Sequence, residues 1–162
     1  MAADWWWMAL TLGLLATVAY SDLRSRAVSL PQLLALAAGC TGLAWSRSGS
    51  LPLLLNDSAF NLFFLALQAG LTWLWFALKH RRVNKVLDRY IGLGDWLFLL
   101  AVAPALPPFR FVWYYATGVF LTLVVALLVR IFYTGSFQTI PLAGSLAAWL
   151  ALWLLFDRFI PL

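Results

Sequence analysis

Two aspartates are the residues of this chain best placed to do chemistry. Asp95 lies in the stretch Ile91-Gly92-Leu93-Gly94-Asp95-Trp96, at the mouth of an apolar run from Trp96 to Ala105. A carboxylate at the centre of a membrane helix costs roughly 2.5–3.5 kcal/mol, and less towards its ends. The two glycines before it take little volume and let another backbone approach. The stretch therefore reads as an acid held where helices meet. Asp22 ends the first apolar run and is followed by Arg24 and Arg26. If the two acids share one depth on neighbouring helices, they cannot both ionise in contact, and they hold one proton between them. Such a pair suits an aspartyl hydrolase: one carboxylate takes a proton from water while the other polarises a carbonyl. Two other readings stand beside it. Asp22 also suits a local ion pair at a helix end, and Asp95 also suits the proton or cation site of a small transporter.

The elements that must position these acids are transmembrane helices. Of 162 residues, 64% are hydrophobic and 10% charged, which excludes disorder and argues against a soluble domain. Several apolar runs approach the roughly 20 residues that a membrane helix needs. The expected fold class is an all-α polytopic membrane protein with six transmembrane helices, forming a single domain over residues 1–162. The spans are expected at about Trp5–Tyr20, Val28–Trp45, Ala59–Leu78, Tyr90–Ala105, Phe111–Ile131 and Ile140–Phe156. Pro31 and Pro141 fall in first turns, where proline is tolerated. Pro104, Pro107 and Pro108 punctuate the end of the short fourth span. A loop is expected over Ser46–Ser58. Trp5-Trp6-Trp7 looks like an interfacial anchor. Asp4 precedes the first run with no Lys or Arg before it, so that run is expected to be a retained helix rather than a cleaved signal.

The basic residues orient the bundle. Eight of the eleven (Arg24, Arg26, Lys79, Arg81, Arg82, Lys85, Arg89 and Arg130) follow spans one, three and five, and three (Arg47, Arg110 and Arg158) lie on the other side. The larger set belongs in the cytoplasm and both termini outside. The end of span one and the start of span four then lie at the same cytoplasmic depth, which brings Asp22 and Asp95 to one level. The net charge of +5 calls for no nucleic acid, since basic loops beside anionic lipid are the ordinary case.

The remaining polar residues have plainer expectations. Asp4 and Asp157 sit near outer span ends, and Asp88 is a surface partner for Lys85 and Arg89. Asn56, Asp57 and Ser58 are candidates to cap the third helix. Asn61 and Gln68 suit interhelical hydrogen bonds. Gln138 and Thr139 suit capping of the last helix, or the edge of the site if that helix starts beside Asp95. Arg130 suits a headgroup anchor. Cys40 is the only cysteine and His80 the only histidine, so neither a disulfide nor a metal site is expected.

At these residues the chain resembles the prepilin peptidase family, the GxGD aspartyl peptidases of bacterial and archaeal membranes. Gly92-Leu93-Gly94-Asp95 matches GxGD. Asp22-Leu23-Arg24-Ser25-Arg26 is similar to the first-aspartate segment, and Gln138-Thr139-Ile140-Pro141-Leu142-Ala143-Gly144 to the Ile-Pro start of the last helix. The order of the pieces and a six-helix plan also agree. The resemblance implies an endopeptidase of the bacterial cytoplasmic membrane that cuts the basic leader from prepilins or pseudopilins at the cytoplasmic face. Asp22 and Asp95 would be the catalytic pair, Gly92 and Gly94 would give substrate and neighbouring helix room, and no cofactor or metal is implied. The sequence departs from the family in three ways. Leu97 stands where GxGDxK has lysine, and Val28-Ser29-Leu30-Pro31 only echoes the usual Ile-Pro-Asn. The segment of the longer, methylating members is missing, so a short, peptidase-only form without methyltransferase activity is expected. The absent lysine also keeps open a member without turnover that serves as a binding or assembly protein.

Overall fold

The computed structural model describes residues 2–25, 28–79, 93–132 and 142–159. These form six α-helices: α1 (Ala2–Ser25), α2 (Leu30–Ser48), α3 (Leu51–Lys79), α4 (Leu93–Val102), α5 (Pro108–Phe132) and α6 (Leu142–Phe159), with a 3₁₀ turn at Ala103–Ala105 after α4. Two of them, α3 and the Pro108–Leu128 part of α5, are long and apolar enough to cross a membrane. Shorter apolar stretches cover Gly94–Ala105 and Leu142–Asp157.

Helix α1 is built on an alternating three–four spacing. Met8, Thr11, Leu15, Val18 and Asp22 are all buried, so they form one stripe along the helix. That stripe packs against α2 and α6. Leu33, Leu36, Cys40 and Leu43 supply the buried stripe of α2, and Ala143, Leu146, Ala147, Leu150 and Leu154 that of α6. Between them lie Phe98 and Val102 of α4 and Phe111 and Tyr114 of α5. Helix α6 thus sits between α1 and α5, while α3 lies on the other flank against α2, α5 and the 3₁₀ turn.

The expected loop over Ser46–Ser58 is mostly helix. α2 continues to Ser48, and α3 begins at Leu51 instead of Ala59. Gly49 makes the reversal in two residues: it adopts the left-handed conformation (φ 60°) and donates its N–H to Trp45 O at 3.0 Å, a helix ending that glycine permits. Pro52 then falls in the first turn of α3, where its missing donor costs nothing. Asn56, Asp57 and Ser58 therefore lie inside α3, not at its cap.

The fourth span stops where its prolines predict. Asn61, fully buried on α3, donates from Nδ2 to Ala103 O and to Leu106 O, both at 2.8 Å. Those carbonyls lack helical partners once Pro107 and Pro108 end the run. Gln68 Nε2 donates to Tyr115 Oη at 3.2 Å. Both amides thus make the interhelical bonds expected of them.

Candidate active site

Asp22 occupies the last turn of α1, on its buried stripe, and is only 7% exposed. Asp95 lies in the first turn of α4 and is half-buried. Both reach the first turn of α6. Gly144 N donates to Asp22 Oδ2 at 2.5 Å, and Ala143 N donates to Asp95 Oδ1 at 2.9 Å. Adjacent amides of one helix end therefore hold carboxylates from two other helices. The two accepting oxygens are at most about 9 Å apart, from the bond lengths and one peptide spacing.

The arrangement follows from local rules. The first amides of a helix have no partner within it and carry the positive end of its dipole. Here two carboxylates from other helices meet the amides of Ala143 and Gly144. Gly144 admits the closer of them: a Cβ there would lie 2.9 Å from Asp22 Oδ2, 3.2 Å from Asp22 Cβ and 3.4 Å from Ala19 O. Any side chain would displace the carboxylate or the α1 backbone.

The first turn of α6 is itself fixed from α5. Ser145 Oγ and Thr122 Oγ1 are 2.8 Å apart, and Tyr114 Oη donates to Leu146 O at 3.0 Å. Trp149 Nε1 donates to Thr117 Oγ1 at 3.0 Å. These polar contacts set the rotation and height of α6 against α5, and so the height of the two amides.

Asp22 and Asp95, expected at one depth from charge counting, are thus brought together. Asp22 does not pair with Arg24, which instead donates from Nη1 to Tyr20 Oη at 2.6 Å. Gly94 borders the pair, but a Cβ there would meet nothing within 4 Å among the described residues. Among the described residues a close approach to α1 occurs at Gly144. Leu97 packs against the hydrophobic core. Gly92, Arg26, His80, Arg81, Arg82, Lys85, Asp88, Arg89, Gln138 and Thr139 lie outside the described residues. Neither the amides of Ala143 and Gly144 nor the hydroxyl pair was identified as functional from sequence. The signal available for them was a glycine on the second residue after Pro-Leu at the start of an apolar helix.

The opposite end of the bundle carries its own ionic cluster. Asp157, near the end of α6, accepts from Arg110 Nη1 of α5 and lies 3.7 Å from Arg47 Nη1 of α2. These are residues that charge counting assigned to the face opposite the aspartates. No protein-family model matches the chain, and no curated protein or solved structure is significantly similar to it.

Proposed function

We propose that this protein is an intramembrane aspartyl endopeptidase of the prepilin peptidase type, with Asp22 and Asp95 as its catalytic pair. The observation that carries the reading is the seating of both carboxylates on the adjacent amides of Ala143 and Gly144. Each carboxylate is held by one oxygen and keeps the other for water or substrate. In this reading the ionised member takes a proton as the water oxygen attacks the scissile carbonyl carbon. The protonated member donates to the carbonyl oxygen as it gains charge. Collapse of the tetrahedral intermediate breaks the C–N bond, and the proton passes to the leaving amine. No described residue would contact a Cβ at Gly94, which suits an extended peptide segment beside Asp95. The substrate is a prepilin-like chain with a basic leader and an apolar helix.

A membrane location is supported by where the apolar residues point. Only 12% of the most apolar window of α3, and 22% of that of α5, is buried inside the protein. A core helix of a soluble protein would bury such a stretch, whereas here it faces outward. With six crossings and the basic loops in the cytoplasm, both termini lie outside and the aspartates at the cytoplasmic face.

The test is cleavage of a candidate prepilin by the purified protein in nanodiscs. Wild type should release the leader. Asp22→Asn and Asp95→Asn should each lose more than about 100-fold in rate, the scale of one acid–base group, while melting as wild type does. Rate against pH should be bell-shaped, because one carboxylate must be ionised and the other protonated. Unchanged cleavage in either variant would remove the dyad. Dependence on Asp95 alone, with response to an ion gradient, would favour a transporter.

A further inference from the structure

A groove of about 540 Å³ runs between α1 and the start of α2, beside Asp22 but on the other face of α1. Two rows of α1 side chains line it at one-turn intervals. One is Ala16, Tyr20 and Arg24; the other is Thr17, Ser21 and Ser25. Gln32 of α2 lines it from the other side. The groove changes character along its length. Ala16 and Thr17 lie about 12 Å deeper along the helix axis than Arg24, from the helical rise. Thr17 and Ser21 turn their hydroxyls onto helix carbonyls, Leu14 O at 2.7 Å and Val18 O at 3.1 Å, and so present small walls with no spare proton.

The donors collect at the mouth. Arg24 spends one N–H on Tyr20 Oη and stacks over its ring, 5.8 Å from the centroid. Tyr20 accepts that bond and so keeps its own O–H to donate. Gln32 accepts from Ser29 N through Oε1 at 3.1 Å, which turns its amide group to donate elsewhere. Among the described residues no carboxylate pairs with Arg24. A guanidinium, a phenol and an amide around an apolar trough match a phosphodiester with an acyl chain below it. They do not match a basic peptide.

We infer that this groove binds an anionic phospholipid of the cytoplasmic leaflet, its phosphate at Arg24, Tyr20 and Gln32 and its acyl chain against Ala16 and Thr17. The inference rests on the membrane location proposed above, but not on peptidase activity. A lipid held there sets one negative charge within a turn of Asp22, on the face where a basic leader would arrive. Paired with Arg24, it would cancel the repulsion that Arg24 alone would exert on such a leader.

The test is native mass spectrometry of the protein released from detergent with phosphatidylglycerol or phosphatidylcholine. Wild type should retain one phosphatidylglycerol in preference to phosphatidylcholine. Arg24→Gln should lower that preference about fivefold, the worth of one basic residue beside anionic lipid. Lys79→Gln, altering an exposed cation at the end of α3, should leave it unchanged. Thr17→Trp should exclude both lipids while melting as wild type does. Millimolar inorganic phosphate should not displace the lipid; displacement would mean that the mouth reads free phosphate and would overturn the lipid assignment. Equal losses in Arg24→Gln and Lys79→Gln, or none in Arg24→Gln, would reduce the effect to diffuse surface attraction. Cleavage can fail entirely without touching this result.

Discussion

A methyl group added at Gly144 would lie 2.9 Å from Asp22 Oδ2, closer than carbon and oxygen tolerate, whereas one added at Gly94 would meet no described residue within 4 Å. The atom in the way at Gly144 is the end of a side chain, so Gly144→Ala should move Asp22 rather than unfold the bundle. The expected result is at least about a tenfold loss of cleavage, the scale of a small misplacement of a reacting group, with a much smaller change in melting temperature. Gly94→Ala should leave stability unchanged or raise it by up to about 1 kcal/mol, since alanine is the better helix former. A parallel cleavage and thermal-melting series on the two variants would check this contrast. Asp22 was legible as an odd residue because it ends the first apolar run, at the depth that alternating spans give Asp95. Gly144 was not, because what a glycine makes room for is a side chain 122 positions away. Local pattern carries no trace of that distance.

Among the elements, α4 shows how a short helix is made safe in an apolar setting. The run ends at Pro107 and Pro108, which have no N–H to give, and the Asn61 amide donates to Ala103 O and Leu106 O there. An unanswered carbonyl in a buried site costs about 1–3 kcal/mol. Asn61→Asp replaces this donor with an acceptor, and should destabilise the protein by about 2–3 kcal/mol or more. Asn61→Leu, which removes the donor without adding a charge, should cost less. Unfolding in a graded detergent mixture would rank the two, and an Asn61→Asp variant as stable as wild type would remove Asn61 from this role. The end of α4 could be read from prolines, which act locally. The start of α3 could not: Asn56-Asp57-Ser58 looks like a capping run, yet the chain had already turned at Gly49 and re-entered helix at Leu51. Where two helix starts compete, the tight glycine ending of α2 decides which is used. Likewise, the rotation of α6 depends on Thr122–Ser145 and Tyr114–Leu146 contacts between helices. Side-chain types suggest such bonds without naming their partners.

At the scale of the whole molecule, two charged clusters lie at opposite ends of the bundle: the aspartate pair at the start of α6, and Asp157 with Arg47 and Arg110 near its end. Counting spans along the chain was enough to sort these residues to two ends, because successive antiparallel helices alternate direction. The assignment of each face to a side of the membrane rests on the positive-inside rule, and the function proposed above depends on it. A leader peptidase for prepilins would have to meet a leader that has stayed in the cytoplasm, so in that reading the aspartates belong on that side. Single cysteines decide it. Ser29→Cys sits at the aspartate end, ahead of α2, and Ser50→Cys lies in the α2–α3 turn at the other. The native Cys40 is buried and should stay silent. In intact spheroplasts a membrane-impermeant maleimide should label Ser50→Cys at once and Ser29→Cys only after permeabilisation. The reverse pattern would put the aspartates outside, where no cytoplasmic leader reaches them. It would also put the Arg24 groove in the outer leaflet, so that one labelling experiment bears on both sites.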